Sequence, residues 1–159
     1  TGNMKFMMNG ALTLGTMDGA NVEIYESVGP DNIYIFGYDA ETVQQIYKTG
    51  EYDPTVFVEQ DYTLKTVLNM LIDGTLNPEK PYLFKEIYES LLSCKTGMSD
   101  PFLILGDFQS YKAAHDKIVK DYADRRKWNK MAVINVANSG RFSSDNSIAN
   151  YNKLIWKLK

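Results

Sequence analysis

Apolar residues change their spacing twice along this chain. Residues 3–9 (NMKFMMN) are crowded with methionine and phenylalanine and predict a short helix. Ala11-Leu12-Thr13-Leu14 then predicts a short buried strand, turned by Gly15-Thr16-Met17-Asp18-Gly19. Asp18 is placed to cap a helix over residues 20–25, which Gly29-Pro30 ends. The run Asn32-Ile33-Tyr34-Ile35-Phe36-Gly37 is too apolar for a half-exposed strand, so both of its faces should be covered. Asp39 caps residues 40–48, with Val43, Ile46 and Tyr47 on one face. This strand–helix alternation predicts an α/β fold with a parallel sheet.

Beyond residue 60 the period becomes helical. Leu64, Val67, Leu68 and Leu71 form an i, i+3, i+4, i+7 stripe that Gly74 stops. Phe84, Ile87, Tyr88 and Leu91 repeat it after Pro81, which suits a first helical turn. Pro101–Gly106 reads as a strand or an extended approach, followed by a helix from Asp107 or Ser110 whose inner face is Tyr111, Ala114, Ile118 and Tyr122. Trp128, Met131, Ala132 and Val136 mark another helix, closed by Ser139-Gly140. Ser143-Ser144-Asp145 caps a last one, with Ile148, Tyr151, Ile155 and Leu158 inward. Two or three strands make a poor parallel sheet, because edges and faces lack partners. Together with the opening at Thr1 without a methionine, this reads as part of a longer protein.

The 159 residues suffice for one domain with a sizeable core, and 44% hydrophobic with 23% charged residues excludes a disordered class. Net charge is -3, but unevenly spread: residues 1–111 hold 6 Lys/Arg against 16 Asp/Glu, and residues 112–159 hold 11 against 4. The basic residues are spaced rather than clustered, so solvated helix faces explain them better than a nucleic-acid surface. One cysteine, Cys94, cannot form an internal disulfide, which favours a reducing, cytoplasmic location. No run reaches the roughly 20 apolar residues of a membrane span.

Candidate chemistry centres on Lys5, the cation inside Met4-Lys5-Phe6-Met7-Met8. A lysine so placed can lay its methylenes on its neighbours and reach water. Alternatively it faces a site as the covalent anchor of a cofactor aldehyde, which requires a neutral amine favoured by apolar surroundings. Thr1-Gly2 stands at the start of the same helix, where glycine lets the backbone approach an anion. Other residues carry less. His115 has no carboxylate at i±4 to orient it, and reads as a packed or half-exposed helical residue. Cys94 reads as a small buried hydrophobe. Gly15-x-x-x-Gly19 lacks the Gly-Lys-[Ser/Thr] ending of a phosphate loop, and no Cys/His set has metal-ligand spacing.

The run from Thr1 to Ile24, TGNMKFMMNGALTLGTMDGANVEI, closely resembles the pyridoxal-phosphate segment of the glycogen/starch/maltodextrin phosphorylases. Asn32–Gly37, Pro81-Tyr82-Leu83-Phe84, Trp128 with its helix, Ser139–Asp145, Ile148–Tyr151 and Ile155-Trp156 follow in the same order. The resemblance covers the whole chain but only the end of such an enzyme.

The resemblance implies the end of the C-terminal Rossmann-like, cofactor-binding domain of the two-domain GT-B glycosyltransferase architecture, residues 1–142. Residues 143–159 would be a closing helix crossing toward an N-terminal domain. It further implies Lys5 as the covalent anchor of pyridoxal 5'-phosphate, with Thr1 and Gly2 holding the cofactor phosphate through backbone amides. The implied reaction uses inorganic phosphate to release α-glucose 1-phosphate from the non-reducing ends of an α-1,4-glucan. The rest of the site and the first domain lie upstream, so the piece alone is expected to be inactive and to bind cofactor weakly. Family members are commonly dimers, whereas the piece could self-associate through exposed surfaces. The rival from another class is a free-standing interaction module with this fold and no catalysis.

Overall fold

In chain order the elements of the computed structural model are α1 (Gly2–Met8), β1 (Leu14–Gly15), α2 (Ala20–Val28), β2 (Tyr34–Ile35), α3 (Ala40–Thr49), α4 (Pro54–Gln60), α5 (Tyr62–Asn69), α6 (Lys85–Leu92), α7 (Ile104–Ala123), α8 (Arg125–Asn138) and α9 (Ser144–Tyr151). Residues 1–95 and 97–158 are described. They form two compact units, residues 1–39 with 112–159 and residues 40–111.

In the first unit, α1 and α2 bury matching faces. Met7 and Ile24 are fully buried, Val28 and Ile33 nearly so, and Tyr25, Ile35, Ile134 and Phe142 pack against them. Leu14 lies opposite Tyr34 and Gly15 opposite Ile35 in a parallel pair. The expected strands 11–14 and 32–37 shrink to two residues each, because each finds one neighbour among the described residues. A 3-10 turn, Pro30–Asn32, takes the start of the second run. The expected Asp18 cap is not formed. Gly19 occupies the N-cap of α2 with φ +48°, and Asp18 Oδ1 instead accepts from Thr16 Oγ1 at 2.9 Å, a local turn that competes with capping.

Two polar braces join this unit across long stretches of sequence. The fully buried Asn135 donates through Nδ2 to the carbonyls of Asn32, at 2.8 Å, and Met131, at 3.0 Å. Tyr34 donates from its hydroxyl to Asp121 Oδ2 at 3.0 Å, while Lys127 Nζ donates to Asp121 Oδ1 at 2.6 Å. The Lys127 hydrogen bond, foremost, holds the Asp121 carboxyl below its ordinary range. Burial, foremost, and then the bond to Asp121 push the Tyr34 phenol above its own. Tyr34 also stacks on Trp128, with ring centroids 6.3 Å apart.

Among its described residues the second unit contains helices and turns but no strand. Asp53 caps α4 by accepting from Thr55 N, and Asp61 caps α5 by accepting from Thr63 N and Leu64 N. Leu64, Leu68 and Leu105 form the core, with Phe57, Leu71, Tyr88, Leu91 and Phe108 packed against them. The expected stripes are only partly used: Val67, Ile87 and Tyr47 are exposed. α5 ends at Asn69, before Gly74, and Pro81 lies in the turn preceding α6.

Residues 101–106 are not a strand. Asp100, fully buried with φ +49°, accepts from Ile104 N at 2.9 Å and Leu105 N at 2.7 Å, so α7 begins at Ile104 rather than at Asp107 or Ser110. The apolar run Phe102–Leu105 enters a helix, a case where burial alone does not distinguish helix from strand. Tyr52 completes the cap, donating to Asp100 Oδ2 at 2.6 Å and accepting from Gly106 N at 3.0 Å.

The expected inner face of α7 is reduced to Ala114 and Ile118, since Tyr111 and Tyr122 are exposed. In α9, capped by Ser143 Oγ on Asn146 N, and the π-helical turn Asn152–Trp156, the stripe expected to point inward is open. Ile148, Tyr151, Ile155 and Leu158 are exposed, as are Leu154 and Trp156. Lys159, the end of the expected closing helix, lies outside the described residues. Among the described residues no helix is long and apolar enough to cross a membrane, and no His/Cys/Asp/Glu group could hold a metal ion.

Candidate functional site

Seven residues make α1, and its two faces do different work. At 3.6 residues per turn, Asn3 and Met7 share one side, while Thr1, Met4, Lys5 and Met8 share the other. Met7 seats the inner side in the core. The outer side lines a concavity of about 250 Å³ whose far wall is Ser139, Gly140, Phe142 and Ser143. Thr1 and Lys5 are therefore brought to one cavity, with Gly2 between them in sequence.

Lys5 is exposed at this cavity. Of the apolar residues around it, only Met7 is fully buried, and Phe6 and Met8 are exposed. The desolvation expected from the apolar run is thus not supplied by this chain. Met4, Met8 and Phe142 give the cavity apolar walls, and Ser139 and Ser143 contribute hydroxyl-bearing residues.

The start of the helix offers backbone donors. Its first intrahelical bond runs from Lys5 N to Thr1 O at 3.2 Å, so the amides of Gly2, Asn3 and Met4 precede it. Met4 N is taken by Asn3 Oδ1 at 2.9 Å. Thr1 occupies the N-cap without a side-chain cap bond. An accessible primary amine, main-chain donors ahead of the first helical bond and apolar walls suit an aldehyde-bearing, phosphorylated cofactor.

Three residues hold α1 in a way the sequence did not declare. Asn3 Nδ2 donates to Asn21 Oδ1 at 2.9 Å, and Asn21 Nδ2 donates to Thr16 O at 2.9 Å. Gly15 makes room for that amide: a Cβ there would lie 2.6 Å from Asn21 Nδ2. A sequence signal existed, since Asn21 shares the face of Ile24 and Val28 at i+3 and i+7, just as Asn3 shares that of Met7. The remaining candidates stay outside. His115 is exposed on α7, and Cys94 is half-buried rather than buried.

This arrangement, a lysine on the outer face of a short helix beside a parallel strand pair, lies in a chain whose residues 1–158 match the carbohydrate phosphorylase family. The chain belongs to that family. It is 46% identical over its full 159 residues to glycogen phosphorylase of Bacillus subtilis (strain 168), covering 19% of that protein. It is 41% identical to the muscle form of glycogen phosphorylase from Rattus norvegicus and 40% identical to glycogen phosphorylase of Synechocystis sp.. In both cases all of this chain and 18% of the relative are covered. The chain spans about a fifth of the length of these relatives.

Proposed function

We propose that the chain is the cofactor-bearing part of an α-1,4-glucan phosphorylase, which uses inorganic phosphate to release α-glucose 1-phosphate from glucan non-reducing ends. The carrying observation is the match of this whole chain to about a fifth of glycogen phosphorylases, with Lys5 opening onto a cavity beside the donors of the first turn of α1. In this reading Lys5 holds the aldehyde of pyridoxal 5'-phosphate, and the backbone at Thr1 and Gly2 holds its phosphate. When bound, that cofactor supplies a phosphate able to exchange a proton with the substrate phosphate.

What the chain's residues do is position. Met7 and the asparagine pair hold α1 from behind, leaving Lys5 free to reach the cavity. Main-chain donors fixed by a helix need little reorganisation to meet an anion, which is how positioned dipoles stabilise phosphoryl chemistry. The exposure of Lys5 means that whatever dries the amine must come from elsewhere in a longer protein.

Residues 1–142 then belong to the C-terminal Rossmann-like domain of a GT-B enzyme. The segment 143–159 corresponds in this reading to its closing helix; the described part is helical from Ser144 to Trp156 and leaves Ile148, Leu154, Ile155 and Leu158 uncovered, which supports that role. The chain by itself is expected to show no turnover and, with those residues open, to self-associate; the whole enzyme is expected to be a cytoplasmic dimer.

The test is made in the full-length enzyme. Lys5→Ala should abolish both phosphorolysis and borohydride trapping of pyridoxal phosphate on the peptide that carries residue 5. Full turnover in that variant would end the proposal.

A further inference from the structure

We infer that Asn21 is a positioning residue for Lys5, setting the rotation of α1 through Asn3; this rests on Lys5 being the cofactor anchor. The amides form a directed chain, Met4 N to Asn3 Oδ1, Asn3 Nδ2 to Asn21 Oδ1, and Asn21 Nδ2 to Thr16 O, each at 2.9 Å. A main-chain N–H can only donate and a carbonyl can only accept. The two ends therefore fix the orientation of both asparagines, and neither amide can flip without leaving two like groups facing each other.

An apolar hold on the inner side of α1 is Met7, fully buried with Ile24, Val28 and Ile33, against which Ile134 and Phe142 also pack. A methionine is unbranched and torsionally adaptable, so it fixes depth better than angle. Hydrogen bonds are directional and fix angle. The angle matters because Lys5 is on the far side of the helix axis from Asn3 and Met7. With side chains extending about 6 Å from the axis, a turn of about 10° sweeps the outer side through about 1 Å. A shift of that size at a reacting or tethering group can cost on the order of 100-fold in rate.

Gly15 belongs to the same device. It lies in β1, opposite Ile35 of β2, and the absence of its Cβ lets Asn21 reach Thr16 O. The parallel strand pair, through one missing side chain, thereby sets the angle at which a lysine ten residues earlier meets its cavity.

The experiment uses the full-length phosphorylase with Asn21→Ala and, as an independent route, Gly15→Ala, which pushes a methyl against an intact Asn21. Leu68→Ala, a change in the separate core of residues 40–111, controls for simple loss of stability. In the Asn21 and Gly15 variants the rate of borohydride-trappable capture of pyridoxal phosphate at residue 5 should fall about 10-fold or more, and kcat should fall by a similar factor with KM values little changed. Leu68→Ala should lower Tm yet leave capture and kcat near wild type. Wild-type capture rate and kcat in both the Asn21 and Gly15 variants, with only Tm lowered, would overturn the inference, as would equal loss in Leu68→Ala. If the wild-type enzyme captured no cofactor on residue 5, the anchor reading itself would fail, a result distinguishable from these. Should Asn21→Ala not fold, Gly15→Ala decides alone.

Discussion

The two units hold themselves together by different means. In residues 1–39 with 112–159, polar ties run between distant parts of the chain: Tyr34 to Asp121, Asn135 to Asn32, and Arg141 to Glu26 at 2.9 Å. In residues 40–111 the long-range ties gather at the start of α7: Tyr52 donates to Asp100 and Tyr47 to the carbonyl of Pro101, each at 2.6 Å, while Asp53 and Asp61 cap α4 and α5 locally. The candidate site lies in the first kind of unit. Ties spread over several pairs of elements fix a backbone from several directions, which is what the role proposed for Lys5 would require.

Substitutions in the two units should separate these strategies. Met7→Ala empties the centre of the first core and should cost about 4 kcal/mol in urea titration; a cost under about 1 kcal/mol would mean that α1 is not seated there. Asp100→Ala is the sharpest attack on the second unit, because it strands the amides of Ile104 and Leu105 and the hydroxyl of Tyr52. It should cost about 3 kcal/mol and expose the first turn of α7 to hydrogen exchange. Unchanged protection of that turn would show the cap to be dispensable.

Tyr34→Phe should cost about 1 kcal/mol at neutral pH and change the pH profile. Asp121 is depressed in the folded state, so its contribution is present above about pH 4 and is lost as pH falls through its lowered value. Tyr34 is raised, so its contribution is present below about pH 10 and is lost as pH climbs toward its folded value. The Phe variant should therefore lose the alkaline decline while keeping most of the acid one. Retention of the alkaline decline would assign it to other groups. Arg141→Ala, at an exposed pair with Glu26, should cost under about 0.5 kcal/mol.

The same contrast explains what was legible in advance. α2, α3, α5, α8 and α9 could be read because stripes and terminal residues such as Gly29 and Ser143 act within a few positions. The start of α7 could not, since Phe102-Leu103-Ile104-Leu105 is as apolar as a strand and only a buried Asp100 in a left-handed conformation declares the helix. Asp18 misled because a side chain able to cap can equally close a turn on Thr16. Lys5, Thr1 and Gly2 could be singled out by resemblance, but the cavity that Thr1 and Lys5 share with Ser139, Gly140, Phe142 and Ser143 needed the fold. Asn21 went unread for the same reason: its partners are 18 residues away at Asn3 and five away on a carbonyl.

Eighty-seven positions separate the phenol of Tyr34 from its carboxylate partner at Asp121. On a ribosome adding about 5–20 residues per second, the second strand would wait roughly 4 to 17 s for its clamp to be made. During that interval the nascent chain carries a paired but unclamped β-edge beside the methionine-rich opening helix. A pause in synthesis between these two positions would lengthen that interval.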